Sequence, residues 1–94
     1  MINLADAEQI VDDCIVVAVG YSGVINAEDK LSDVGVKDDI AVFALRDAVV
    51  NNPTKGVPKK NHQIDPNDLN FGTDSTVADV RDLVHKYATP KGGH

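Results

Sequence analysis

A chain of 94 residues with 43% hydrophobic content carries enough apolar surface for one small domain with a modest core, and argues against a second domain. Fifteen acidic residues against nine basic ones give a formal charge of −6, which disfavours binding to nucleic-acid phosphates and favours protein partners with basic patches. The single cysteine, Cys14, allows no internal disulfide, and neither a charged-then-apolar leader nor an apolar run of membrane length is seen. The expected location is therefore the cytoplasm, without membrane insertion.

In chain order, Leu4, Ala7, Val11, Cys14, Ile15 and Ala18 recur at three- and four-residue spacings, which predicts a helix over residues 4–19 with Asn3 as its cap and Gly20 as its stop. The run from Cys14 to Val19 is almost wholly apolar and rich in β-branched residues, so local propensity would also allow a buried strand there. Residues 20–37, rich in Gly and Asp, read as a long loop, with Ile25 and Leu31 placed to be pinned against the core. Asp38 or Asp39 then caps a second helix over residues 38–50, with Ile40, Ala41, Ala44, Leu45, Ala48 and Val49 as its apolar stripe and Phe43 as an aromatic anchor.

Asn51-Asn52 before Pro53 ends that helix, because the residue before proline is biased away from helical geometry. The polar stretch from Thr54 to Gln63 reads as an exposed loop, and its Lys55, Lys59, Lys60 and His62 gather basic charge in an otherwise acidic chain. Asp65-Pro66 opens a short helix, with aspartate as cap and proline at the first helical position. Thr76-Val77-Ala78-Asp79 has the form of a capping box, and Val77, Val80, Leu83, Val84 and Tyr87 make the cleanest amphipathic pattern in the chain, predicting a helix over 76–88. Thr89-Pro90 breaks it, and residues 90–94 read as a flexible tail. Leu4, Val11, Ile15, Leu45, Val49, Val80, Leu83 and Val84 are the expected shared core.

The stretch Lys30-Leu31-Ser32-Asp33-Val34-Gly35-Val36-Lys37-Asp38-Asp39-Ile40 resembles the modification motif of the acyl carrier proteins. In that family a leucine-x-aspartate-leucine-glycine run leads into Asp-Ser-Leu at the start of the second helix. Gln63-Ile64-Asp65-Pro66-Asn67-Asp68-Leu69 is similar to the stretch leading through the carrier's short third helix, and Ser75-Thr76-Val77-Ala78-Asp79-Val80 to the opening of its fourth. The three motifs stand in the family's order over most of the chain. The resemblance implies an all-α, acyl-carrier-like four-helix bundle with a long first loop and a short third helix. The chain departs from the family in a longer segment between the second and third helices, Asn51 to His62, and in having Asp38 where the family's serine would stand.

That serine hydroxyl accepts 4′-phosphopantetheine, and a carboxylate cannot form the same stable phosphodiester. The resemblance therefore implies a non-catalytic protein with no cofactor, acting by protein–protein interaction. Its partner surface would be Asp38, Asp39, Val42, Arg46 and Asp47 on the second helix, and its partner a protein with a basic patch, such as a synthase or transferase. As an N-cap, Asp38 would supply a fixed negative charge at the helix terminus where the carrier has its phosphodiester.

Two alternatives stand beside this reading. One is a working acyl or peptidyl carrier that holds phosphopantetheine on another serine; Asp74-Ser75-Thr76 looks locally like the motif, but only one helix of sequence follows it, and Ser32 is off register. The other is a small inhibitory or immunity-type binding protein that shares only the helix order. Other chemistry is thin. His62, His85 and His94 lack metal-site spacing and are expected at the solvated surface. The stretch from Asp65 lacks the glycine and the final carboxylate of a calcium loop, and Cys14 reads as a packed thiol.

Overall fold

The computed structural model describes residues 2–51 and 62–90. Three α-helices dominate it: α1, Leu4–Val19; α2, Asp39–Asn51; and α3, Val77–Tyr87. Two short 3-10 turns, Leu31–Val34 and Pro66–Asp68, lie between them. The fold is mostly helical rather than all-α, because His62–Gln63 (β1) and Thr89–Pro90 (β2) pair antiparallel, with His62 opposite Pro90 and Gln63 opposite Thr89. Pro90, expected in a loose tail, is thus part of a strand, while residues 91–94 lie outside the described residues, as do Lys55, Lys59 and Lys60.

The starts of the helices have identifiable chemical causes, as does the end of α1. Asn3 accepts from the Asp6 amide through its Oδ1 at 2.8 Å and opens α1, and Gly20 closes it at φ +69°, a left-handed conformation that costs other residues a steric clash. Residues 14–19 are helical, so the period of the apolar side chains prevails over the strand preference of the valines. At α3, Thr76 Oγ1 accepts from the Asp79 amide at 3.1 Å and the Asp79 carboxylate accepts from the Thr76 amide at 3.0 Å, a reciprocal capping box. Asp65 caps the second 3-10 turn through the Asn67 amide, with Pro66 at its first position.

α1 is the central element and packs against both α2 and α3. Its Ala7, Ile10, Val11, Cys14 and Ile15 meet Val42, Leu45, Ala48 and Val49 of α2 and Val77, Val80 and Val84 of α3 in one buried cluster. Fully burying one Val, Leu or Ile side chain contributes about 1.5–3 kcal/mol. Cys14 is enclosed in this cluster, and burial pushes its thiol up to about 12, so it is a packing group. Leu4, expected in the core, is exposed at the first turn of α1, and Leu83 is only half-buried at the edge of the cluster.

The long loop contributes to the core more than its composition suggests. Leu31, Val34 and Val36 are fully buried, and Ile25 packs against the cluster from outside. Gly35 follows the first 3-10 turn at φ +96°, a backbone conformation that favours glycine, and a Cβ there would crowd Val19 Cγ2 at 3.0 Å. The loop is also stitched to the start of α3: Val77 N donates to Asp29 O at 2.8 Å, Ala78 N to Ala27 O at 2.9 Å and Leu31 N to Ser75 O at 2.8 Å, with a bridge between Lys30 and Thr76.

Candidate functional site

The turn at Gly35 brings the chain to α2 through buried Val36 and exposed Lys37. Asp38 then caps the helix: its Oδ1 accepts from the Ala41 amide at 2.8 Å and its carbonyl from the Val42 amide at 3.0 Å. Asp39 adds a second carboxylate in the first turn. Both side chains are exposed, and both are favoured by the partial positive charge of the helix N-terminus. This end of α2 therefore presents fixed negative charge to solvent and no hydroxyl.

The α2 face turned to solvent departs from the pattern expected of it. Val42, expected on a partner surface, is 6% exposed and belongs to the core, together with Leu45, Ala48 and Val49. Ile40 and Phe43, expected to be inward, are 80% and 65% exposed. At about 100° of rotation per residue, Ile40, Phe43 and Asp47 fall within one narrow sector, roughly opposite the direction of Val42, Leu45 and Val49. Asp47 is exposed in that sector and accepts from Asn51 Nδ2 at 2.8 Å.

Arg46 is a clamp rather than a free cation. Its Nε donates to the Leu69 carbonyl at 3.1 Å and its guanidinium lies 5.5 Å from the centre of the Phe71 ring, holding the segment after the second 3-10 turn against α2. The two candidate serines are engaged in the junction between loop and α3. Ser75 Oγ accepts from the Gly72 amide at 3.0 Å, and its carbonyl accepts from Leu31 N. Ser32 donates its amide to Thr73 O at 3.2 Å; both serines are half-buried. The structure thus brings Asp38, Asp39 and Asp47 to the exposed side of α2, removes Val42 from that surface, and sets Ser32 and Ser75 in the α3 junction.

Two features escaped the sequence. His62, expected at the solvated surface, is 4% exposed, with Nε2 2.9 Å from the Val49 carbonyl. Because a carbonyl only accepts, Nε2 carries the hydrogen and closes one of the free carbonyls at the end of α2, while Nδ1 has no partner among the described residues. Arg81 forms a two-pronged ion pair with Asp12, Nη2 to Oδ2 at 2.8 Å and Nε to Oδ1 at 3.2 Å, joining α3 to α1. Burial still raises the Asp12 carboxyl above its ordinary value, outweighing the hydrogen bonds and charge of Arg81, which lower it. No local pattern links two residues so distant in sequence. Among the described residues no helix is long and apolar enough to cross a membrane, and no three His, Cys, Asp or Glu side chains are grouped to hold a metal ion.

The chain matches no protein-family model, no curated protein and no solved structure.

Proposed function

We propose that this chain is an acyl-carrier-like protein that carries no phosphopantetheine and acts as a non-catalytic partner of another protein, of the synthase or transferase kind, through the open end of α2. The observation that carries the reading is Asp38. It follows a motif of the carrier type, caps the helix that a carrier's serine would open, and offers a carboxylate to solvent. Further support comes from the order of helical elements, α1, α2, the 3-10 turn Pro66–Asp68 and α3, which follows the long, long, short, long order of a carrier domain.

Carriage on Ser75 is disfavoured by its surroundings. Its hydroxyl already accepts from Gly72, and its carbonyl is tied to the loop, so a bulky phosphodiester there would disturb the approach to the α3 capping box. The test is to incubate the purified chain with coenzyme A and a broad-specificity phosphopantetheinyl transferase and to record its intact mass. The expected mass is unchanged. An added phosphopantetheine mapping to Ser75 or Ser32 would return the chain to acyl carriage.

A further inference from the structure

We infer that this chain pairs with a second copy of itself through the last turn of α1 and the bend after it, with Val16, Val17 and Val24 as the apolar centre of a two-fold contact. The inference goes beyond the carrier-like reading and does not depend on it. Val16, Val17 and Val24 are 48%, 41% and 76% exposed, and they belong neither to the buried cluster nor to the apolar residues packed against it. At about 100° of rotation per residue, Val16 points opposite Ala7 and Cys14, out of the bundle. Branching at Cβ lowers helix propensity, so two adjacent valines in solvent serve neither the helix nor the core.

The bend is held in shape by its own bonds. Gly20 N donates to Val16 O at 2.7 Å where α1 ends, and Tyr21 Oη donates to Val24 O at 3.3 Å across the bend at Gly23. Val24 is thus presented on a preformed segment, and a contact made there has less chain to order.

Charge selects the occupant. From Cys14 to Ala27 the sequence has no Asp, Glu, Lys, Arg or His, the longest such run in a chain with 26% charged residues. The carboxylates just before it are already held, Asp12 by Arg81 and Asp13 Oδ1 by Gln9 Nε2 at 2.9 Å. The run offers a charged partner no ion to pair with, and an anionic headgroup no Lys or Arg. A second copy, itself with a formal charge of −6, is repelled by the acid-bearing faces of the first, so the uncharged run is where two copies approach at least cost. A two-fold contact then sets the valines of one copy against those of the other, the self-complementary arrangement that isologous pairing requires.

The test is sedimentation of the full chain at low and high salt, with amide chemical shifts followed on dilution. The mass is expected to rise from one chain toward two between about 10 μM and about 1 mM, and dilution to shift amides within residues 14–27. Added salt should strengthen the pairing, because it screens the repulsion between two acidic copies and leaves the apolar contact in place. Val16→Glu and Val24→Asp, both at positions open to solvent, should each weaken pairing roughly tenfold or more with the amide spectrum still that of a folded chain, and Phe43→Ser on α2 should leave pairing unchanged. A mass that stays at one chain up to about 1 mM, pairing dissolved by salt, pairing lost in Phe43→Ser, or pairing retained in both Val16→Glu and Val24→Asp would each overturn the inference.

Discussion

The N-termini of α2 and α3 are built from the same local chemistry and serve opposite ends. Each opens with an oxygen-bearing side chain that caps an amide three residues ahead: Asp38 to Ala41, and Thr76 to Asp79. At α3 the surrounding backbone is then used by the rest of the fold, since Val77 and Ala78 donate to Asp29 and Ala27, and Ser75 accepts from Leu31. At α2 the cap is local and the side chains around it, Asp38, Asp39 and Ile40, stand in solvent. A helix start stitched to a distant loop is committed to stability, whereas one that satisfies its own amides leaves the side chains of its first turn exposed to solvent.

The largest effect is expected from loosening the stitched side. Leu31 is fully buried and its amide holds Ser75, so Leu31→Ala should cost about 2–5 kcal/mol in urea unfolding. For a domain of this size that is a large share of a total of about 5–15 kcal/mol. Ile40→Ala, the same loss of side chain on the open face, should stay within about 0.5 kcal/mol. Equal costs at the two positions would mean that Ile40 is not free.

A smaller effect is expected where α3 is joined to α1. Arg81→Met removes both prongs of the ion pair and leaves the half-buried Asp12 carboxylate without its cation, costing about 1–3 kcal/mol near neutral pH. The pH dependence follows from the raised folded-state pKa of Asp12. Above the ordinary carboxylate value the folded chain binds the proton more readily than the unfolded chain, so the contribution of Asp12 is most favourable at low pH and is lost as pH rises through the raised value. Without Arg81 the folded value climbs further, so the deficit of the variant should shrink when unfolding is measured at pH 4 rather than pH 7. A deficit independent of pH would place the cost in packing of the arginine stem.

How far the two regions were legible differs for physical reasons. The three long helices and their caps at Asn3, Asp38 and Thr76 follow from local hydrogen-bond chemistry and the helical period, and the structure has them within a residue or so of the expected ends. The facing of α2 was not legible, because Ile40, Ala41, Val42, Phe43, Ala44 and Leu45 put apolar side chains on nearly every side of its first turns, and only packing against α1 selects Val42 and Leu45. His62 reads as a surface residue because the sequence around it is polar, whereas its burial depends on pairing with Pro90 and on the Val49 carbonyl. The stitching of the loop to α3 likewise uses backbone groups, which carry no side-chain signature. For the candidate site, Asp38 could be read from the motif, but the exposure of Ile40 and Phe43 could not.

Removing the local cap alone separates its role from that of the face. Asp38→Ala should cost about 1 kcal/mol, the usual loss for a capping carboxylate, with no change in the rest of the fold because no distant backbone among the described residues depends on it. Thr76→Ala removes one comparable cap bond, but beside the stitched loop it should also disturb the amide shifts of residues 27–31. If Asp38→Ala spread its shifts as widely, the two helix starts would not differ in the way proposed.

The smallest change in stability is expected from Asp38→Ser, and it bears most directly on the carrier-like reading. Serine and aspartate cap comparably, so unfolding should shift by no more than a few tenths of a kcal/mol, the lost charge at the helix terminus being screened at an exposed site. The substitution puts a hydroxyl at the position where the carrier motif has one, on a helix start that no tertiary hydrogen bond obstructs among the described residues. Lys37 and Asp39 still depart from that motif, and Phe43 and the engaged Arg46 alter the face that a basic transferase would read. Slow but detectable addition of phosphopantetheine, seen by intact mass and mapped to residue 38, is the expected result. A folded Asp38→Ser chain that stays wholly unmodified at high transferase concentration would reduce the resemblance to architecture alone, and would favour a binding protein of the inhibitory or immunity type that uses the same open face of α2.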